Sequence, residues 1–177
     1  MLNFKSSQNY FELFGLPVLF SLDVSELGAR YRALQREAHP DRHTNCAPAE
    51  QRTAMQLSSL LNQAYDVLKD PIERAAYILK LQEIDTSESS TRQLSPKFLM
   101  EQIELRERLQ ETHAAAHPVR HLASLKKRVS DAISELLTIC ESQLASENYT
   151  GASDTVSKLQ FYRKLLKSAD DMMLRYE

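Results

Sequence analysis

His39-Pro40-Asp41 sets an imidazole and a carboxylate on either side of a proline. Such a pair could pass a proton, with His39 as general base, or could be read by another protein as a displayed element. The proline favours display. Pro40 lacks an N–H and pushes His39 toward extended backbone, so a helix upstream ends near Glu37 or Ala38 and the pair stands on a turn with no evident pocket. The rival constellations are weaker. His113, His117 and His121 recur at i, i+4 and i+8, a metal-ligand spacing on one helix, but Pro118 biases His117 away from helical geometry, which makes a polar loop the better account. Cys46 and Cys140 are isolated, with no CxxC and too few thiolates for an iron–sulfur cluster (Cys46 lies three residues from His43 in no patterned motif). No GxSxG and no glycine-rich phosphate loop occurs. The chain is expected to be no enzyme, with no catalytic residue, no metal and no cofactor.

The elements that position the turn are legible from hydrophobic period. Val24, Leu27, Tyr31, Leu34 and Ala38 recur at spacings of 3, 4, 3 and 4, and so do Ala54, Leu57, Leu61, Ala64 and Leu68. These are two amphipathic helices, and the tripeptide is the turn of their hairpin. A short apolar helix is expected in NYFELFGLP, Asn9 to Pro17. Asp70-Pro71-Ile72-Glu73 reads as cap, first-turn proline and capping-box acid, opening a helix that presents Ile72, Ala75, Ala76 and Leu79 and ends by about Gln82. Asp85 to Arg92 is polar and Ser/Thr-rich, a linker. Ser95-Pro96 restarts a helix, Pro118 opens another, and Asn148 to Gly151 breaks the last long segment. With only 3 glycines, and leucine, alanine, glutamate, glutamine, arginine and lysine throughout, the fold class is all-α. We expect a helical hairpin domain with a connecting helix over 1–84, a linker over 85–94, and a three-helix domain over 95–177.

An HPD at the end of a basic amphipathic helix resembles the signature of a J-domain, the module that stimulates ATP hydrolysis by DnaK-type chaperones. With Leu27 at 0°, Arg32 and Arg36 fall at about 140° and 180°, with Arg30 on the flank. Together with Arg42 they form a positive strip running into the turn. A solvated helix face gives the same pattern; beside an HPD, the resemblance implies docking on an acidic chaperone surface, where charge steers encounter more than it adds affinity. The net charge of -2 argues against a nucleic-acid coat. No run approaches 18 apolar residues, so no membrane span is expected, and the isolated cysteines, with no signal-peptide core in Met1 to Asn9, point to the cytoplasm.

The segment after Pro96 carries two faces. Phe98, Leu105 and Leu109 lie within about 20° of one another as a core stripe, whereas Leu99, Met100 and Ile103 fall between about 100° and 200° from it. Glu104, Glu107 and Glu111 share that opposite side at about 180° to 240°. In the last helix Thr155, Leu159, Tyr162 and Leu166 define a core side, and Phe161 points about 200° away from Leu159. Two readings stay open: a thick core in which another helix covers the trio, or a partner site of apolar anchors with an acidic rim.

FLMEQIELRERL (Phe98 to Leu109), NYFELFGLP near the start and SDTVSKLQFYRKL (Ser153 to Leu165) resemble, in order and spacing, the HscB family of J-type co-chaperones in iron–sulfur cluster assembly. The likeness covers almost the whole chain. It implies that the C-terminal bundle holds an IscU-like scaffold protein and that the J-domain brings it to an HscA-like chaperone. By resemblance, Leu99, Met100, Ile103, Glu104, Glu107, Glu111 and Phe161 face the scaffold, and His39, Pro40, Asp41, Arg30, Arg32, Arg36 and Arg42 face the chaperone. Some eukaryotic relatives carry an N-terminal pair of CxxC motifs for metal. This chain lacks them, so no metal is carried over.

Overall fold

The computed structural model describes residues 8–39, 47–86 and 95–176. Among these residues it is all helix, with seven α-helices and one 3₁₀ turn. Pro40, Asp41, Arg42, Cys46 and most of the expected linker lie outside the described residues. The chain divides into two compact units, Met1–Ile78 and Leu79–Glu177.

In the first unit α1 (Tyr10–Leu13) is short because it is closed at both ends. Asn9 Oδ1 accepts from Glu12 N at 3.0 Å while Glu12 Oε2 accepts from Asn9 N at 3.0 Å, a reciprocal capping box. Gly15, at φ 63°, then reverses the chain so that Leu16 N reaches Phe11 O at 2.9 Å. Phe11, Phe14 and Leu16 are thereby buried. Asp23 caps α2 (Val24–Ala38) by accepting from Ser25 N and Glu26 N at 2.8 and 3.2 Å.

Helix α3 (Pro48–Lys69) buries all five residues of its apolar stripe, Ala54, Leu57, Leu61, Ala64 and Leu68. Its pairing with α2 is antiparallel. Tyr31 stacks on Tyr65 with centroids 4.2 Å apart and donates to Asn62 Oδ1 at 2.9 Å, whereas Gln35, one turn on, accepts from Ser58 Oγ at 2.9 Å. Gln35 also donates to Asn62 Oδ1. Val24, read as part of the α2 stripe, is exposed, since it stands at the first helical position, clear of α3. Asp70 caps α4 (Pro71–Leu81), accepting from Ile72 N at 2.8 Å and Glu73 N at 3.0 Å. Arg74 is buried among these elements: its Nη1 donates to Leu68 O at 2.6 Å and its guanidinium lies over the Phe20 ring.

The second unit holds α5 (Pro96–Glu111), a 3₁₀ turn (Thr112–Ala114), α6 (Pro118–Ala145) and α7 (Tyr149–Met173). Ser95 Oγ caps α5 through Phe98 N at 3.3 Å. Helices α6 and α7 run antiparallel, because Gln143 pairs with Thr155 at one end and Lys126 with Asp170 at the other. The break between them is tighter than the sequence suggests. It spans Ser146 to Asn148, with Glu147 at φ 56°, and Gly151 already belongs to the first turn of α7. Asn148 Oδ1 accepts from Gly151 N at 3.1 Å, and a Cβ on Gly151 would meet Asn148 Nδ2 at 2.8 Å. Glycine serves there for close approach.

Helix α5 closes this unit by laying Phe98 and Leu105 on Leu125 and Val129 of α6 and on Tyr162 and Leu165 of α7. Leu109 and Leu166 are only partly buried at the edge of that core. The three histidines between α5 and α6 do not converge. His113 Nδ1 hydrogen-bonds the Tyr176 hydroxyl at 2.9 Å, His117 caps α6 with extended backbone, and His121 Nε2 donates to Arg108 O at 2.7 Å. Cys140 is fully buried, and burial pushes its thiol up to about 11, which keeps it protonated and unreactive near neutral pH.

Candidate functional site

The end of α2 is built as the proline requires. Ala38 is the last helical residue and is buried, and His39 follows in extended backbone at φ -62°, ψ 127°, with its side chain exposed. Arg32 and Arg36 are exposed on the side of α2 opposite the buried Leu27. Arg36 Nε donates to Arg32 O at 3.2 Å, which lays one side chain along the other. With Tyr31, Gln35 and His39 they line an open groove beside the end of the helix.

Arg30 has a different setting from its neighbours. Its Nη1 donates to Phe14 O and to Gly15 O, each at 2.7 Å, and its Nη2 pairs with Glu26 at 2.6 Å. A Cβ on Gly15 would meet that Nη1 at 3.0 Å, so the absent side chain is what admits the guanidinium. Arg30 thus ties the turn after α1 to α2, and its charge is balanced by Glu26. The exposed strip among the described residues narrows to Arg32 and Arg36. Period alone assigns Arg30 to a flank; which backbone carbonyls it meets is a tertiary fact.

On α5 the trio is at the surface: Leu99 is 46%, Met100 68% and Ile103 51% exposed. No other helix of this unit covers them, so the thick-core reading does not hold for these three. Glu107 and Glu111 are exposed beside them. Glu104 is exposed too, but it accepts from Arg108 at 3.1 Å and from Arg128 of α6 at 3.4 Å, so it is an engaged acid.

Phe161 is half-buried, not displayed like the trio. Its ring meets Phe98 edge-on at 5.6 Å and Tyr162 at 5.5 Å, and the Arg106 guanidinium lies 5.4 Å from its centroid. It therefore links the core to the exposed face. Arg106 and Arg128 were not singled out from sequence. Arg106 sits within reach of the trio by helical period, a signal that was available, whereas Arg128 arrives from another helix. Beneath the face, Tyr162 donates to Glu101 Oε1 at 2.8 Å; burial first, and this bond second, raise its ionisation well above the usual tyrosine value. Exposed apolar anchors with charged margins, and no converging nucleophile, base or ligand set among the described residues, suit protein docking.

Residues 9–77 match the DnaJ domain family, and residues 94–170 match the family described as the HSCB C-terminal oligomerisation domain. A co-chaperone protein HscB homolog of Vibrio cholerae serotype O1 is 39% identical over 169 residues, 94% of this chain and 99% of the relative. The chain belongs to the HscB co-chaperone family. The solved structure of chaperone HscB from Vibrio cholerae superposes with a TM-score of 0.87 at 38% identity, covering 96% of this chain and all of that one. Human co-chaperone protein HscB, at 24% identity, shares the fold with a TM-score of 0.90 over 97% of this chain and 85% of its own. HscB relatives thus account for both halves, with the DnaJ match ending at the last residue but one of the first compact unit. Among the described residues no helix is long and apolar enough to cross a membrane.

Proposed function

We propose that this chain binds an IscU-like iron–sulfur scaffold protein through its C-terminal bundle and delivers it to a DnaK-type, HscA-like chaperone, stimulating that chaperone's ATPase through His39-Pro40-Asp41. The observation that carries the scaffold half is the exposed Leu99, Met100 and Ile103 on α5, flanked by Glu107 and Glu111. Isolated domains seldom leave three large apolar side chains together in water unless a partner covers them. Glu104 and Phe161 belong to the margin of that surface, the first engaged with two arginines and the second half in the core. The chaperone half rests on the exposed His39 at the end of α2, with Arg32 and Arg36 on the same approach and Asp41 and Arg42 following in sequence.

The protein does no bond chemistry of its own in this reading. It works in the cytoplasm without metal or cofactor, binding neither nucleic acid nor membrane, and acts by bringing two proteins together. We assign the chaperone role to 1–84, a linker to 85–94 and the scaffold role to 95–177. The deciding experiment is a paired one. The purified chain should capture the scaffold protein and raise the chaperone's ATP turnover, and scaffold with chain should do so more than chain alone. Capture without stimulation, or stimulation without capture, removes the corresponding half of the proposal.

A further inference from the structure

The apolar face of α5 is electrically asymmetric. With Phe98 at 0°, Leu99, Ile103 and Met100 lie at about 100°, 140° and 200°, Arg106 at about 80°, and Glu107 and Glu111 at about 180° and 220°. A cation therefore borders the patch on one flank and two acids on the other. Among the described residues Arg106 has no carboxylate within ion-pairing distance, in contrast to Arg108 and Arg128, which both hold Glu104. Its guanidinium lies over the Phe161 ring, itself fixed by edge contacts with Phe98 and Tyr162. A ring face takes none of the N–H donors in a conventional hydrogen bond, so the fork remains able to grip a carboxylate, and a held side chain loses less freedom when it does.

We infer that Arg106 reads a carboxylate on the bound partner and so fixes the direction in which the partner lies across the patch. A protein that covers Leu99 and Ile103 also strips water from Arg106, and a desolvated cation without a counter-charge opposes binding. The partner must then offer an acid opposite Arg106 and basic or neutral groups opposite Glu107 and Glu111. A partner docked the other way round meets like charge at both margins, which gives specificity by exclusion. This rests on the proposed scaffold-binding role of the same face.

The test uses the full chain and the iron–sulfur scaffold protein, with affinity read by calorimetry at two salt concentrations. Arg106→Glu should weaken binding on the order of a hundredfold and Arg106→Gln on the order of tenfold, the size seen when one partner of a covered charge pair is removed or reversed. Arg106→Lys should recover only part of the loss, because an ammonium lacks the bidentate fork. Replacing one scaffold surface acid by Lys should restore binding to Arg106→Glu, while melting temperatures stay near wild type. If Arg106→Glu binds within twofold of wild type while Leu99→Ala, Met100→Ala loses binding, the role of Arg106 is overturned and the docking face stands. If Arg106→Glu weakens binding but no scaffold acid-to-Lys change restores it and the salt dependence is unaltered, Arg106 merely props Phe161 and the inference fails. If Leu99→Ala, Met100→Ala binds like wild type, the face itself is not the docking surface and both readings fall.

Discussion

The Tyr162 hydroxyl donates to Glu101 Oε1 at 2.8 Å, joining α7 to the side of α5 that turns away from Leu99, Met100 and Ile103. Removing that hydroxyl leaves a half-buried carboxylate without its donor, and hydrogen bonds to charged groups contribute about 1.5–3 kcal/mol. Tyr162→Phe should therefore lower stability by about that amount in denaturant melts at neutral pH, with the helix content of the folded state unchanged.

The same bond has a pH signature. Burial, then the Glu101 bond, hold the folded-state ionisation of Tyr162 above its ordinary value of 10.0, so folding favours the protonated phenol. The linked stability is fully present below the unfolded value and is lost as pH rises through the higher folded one. Wild type should lose stability more steeply than Tyr162→Phe above about pH 10. The difference between the two proteins isolates Tyr162 from the lysines that titrate in the same range. Parallel stability profiles from pH 9 to 11 would show that this hydroxyl is not the group responsible.

His39 stands in extended backbone, exposed, just past a buried Ala38. Surface substitutions of this kind usually shift stability by no more than about 0.5 kcal/mol. His39→Gln should melt with wild type and yet abolish ATPase stimulation of a DnaK-type chaperone. A variant that still stimulates fully would remove the chaperone half of the proposed function.

Arg30 and its helix neighbours should separate cleanly. Arg30→Ala frees the Phe14 and Gly15 carbonyls and unties α1 from α2, at a cost of about 1 kcal/mol given its part-exposed setting. Arg32→Ala and Arg36→Ala should leave the melting temperature unchanged and weaken coupling to the chaperone, with the loss shrinking at high salt, where exposed charges are screened. Thermal melts and ATPase assays on the three variants read both effects. Equal melting of all three would deny Arg30 its tethering role.

Local pattern gave the helices because their causes are local. The α3 stripe at spacings of 3 and 4 is buried at all five positions, and the caps at Asp70 and Ser95 sit where a polar residue precedes proline. The exposed trio on α5 followed from period as well, since a helix cannot turn both Phe98 and Met100 inward. What period does not carry is the partner from another element. Arg74 reads as a surface cation and is buried because Leu68 O and the Phe20 ring receive it. Glu104 reads as a free acid until Arg128 arrives from α6, and Phe161 reads as exposed until α5 brings Phe98 and Arg106 against it. Wheel angles say which way a side chain leaves its helix, not what it meets.

The two faces of α5 give the final contrast. Phe98 and Leu105 are 4% and 1% exposed, and truncating a buried large side chain costs about 2–5 kcal/mol. Leu99, Met100 and Ile103 already spend about half their surface in water, so Leu99→Ala, Met100→Ala, Ile103→Ala together should shift the melting temperature little. The double variant Phe98→Ala, Leu105→Ala should melt far earlier than wild type, and the triple variant should melt near it while losing scaffold capture. Phe161→Ala belongs between them, because its ring touches both the core and Arg106. It should lose part of the stability and part of the binding. A triple variant that melts as early as the core pair would mean that the trio is buried in solution, and then no docking face exists on α5.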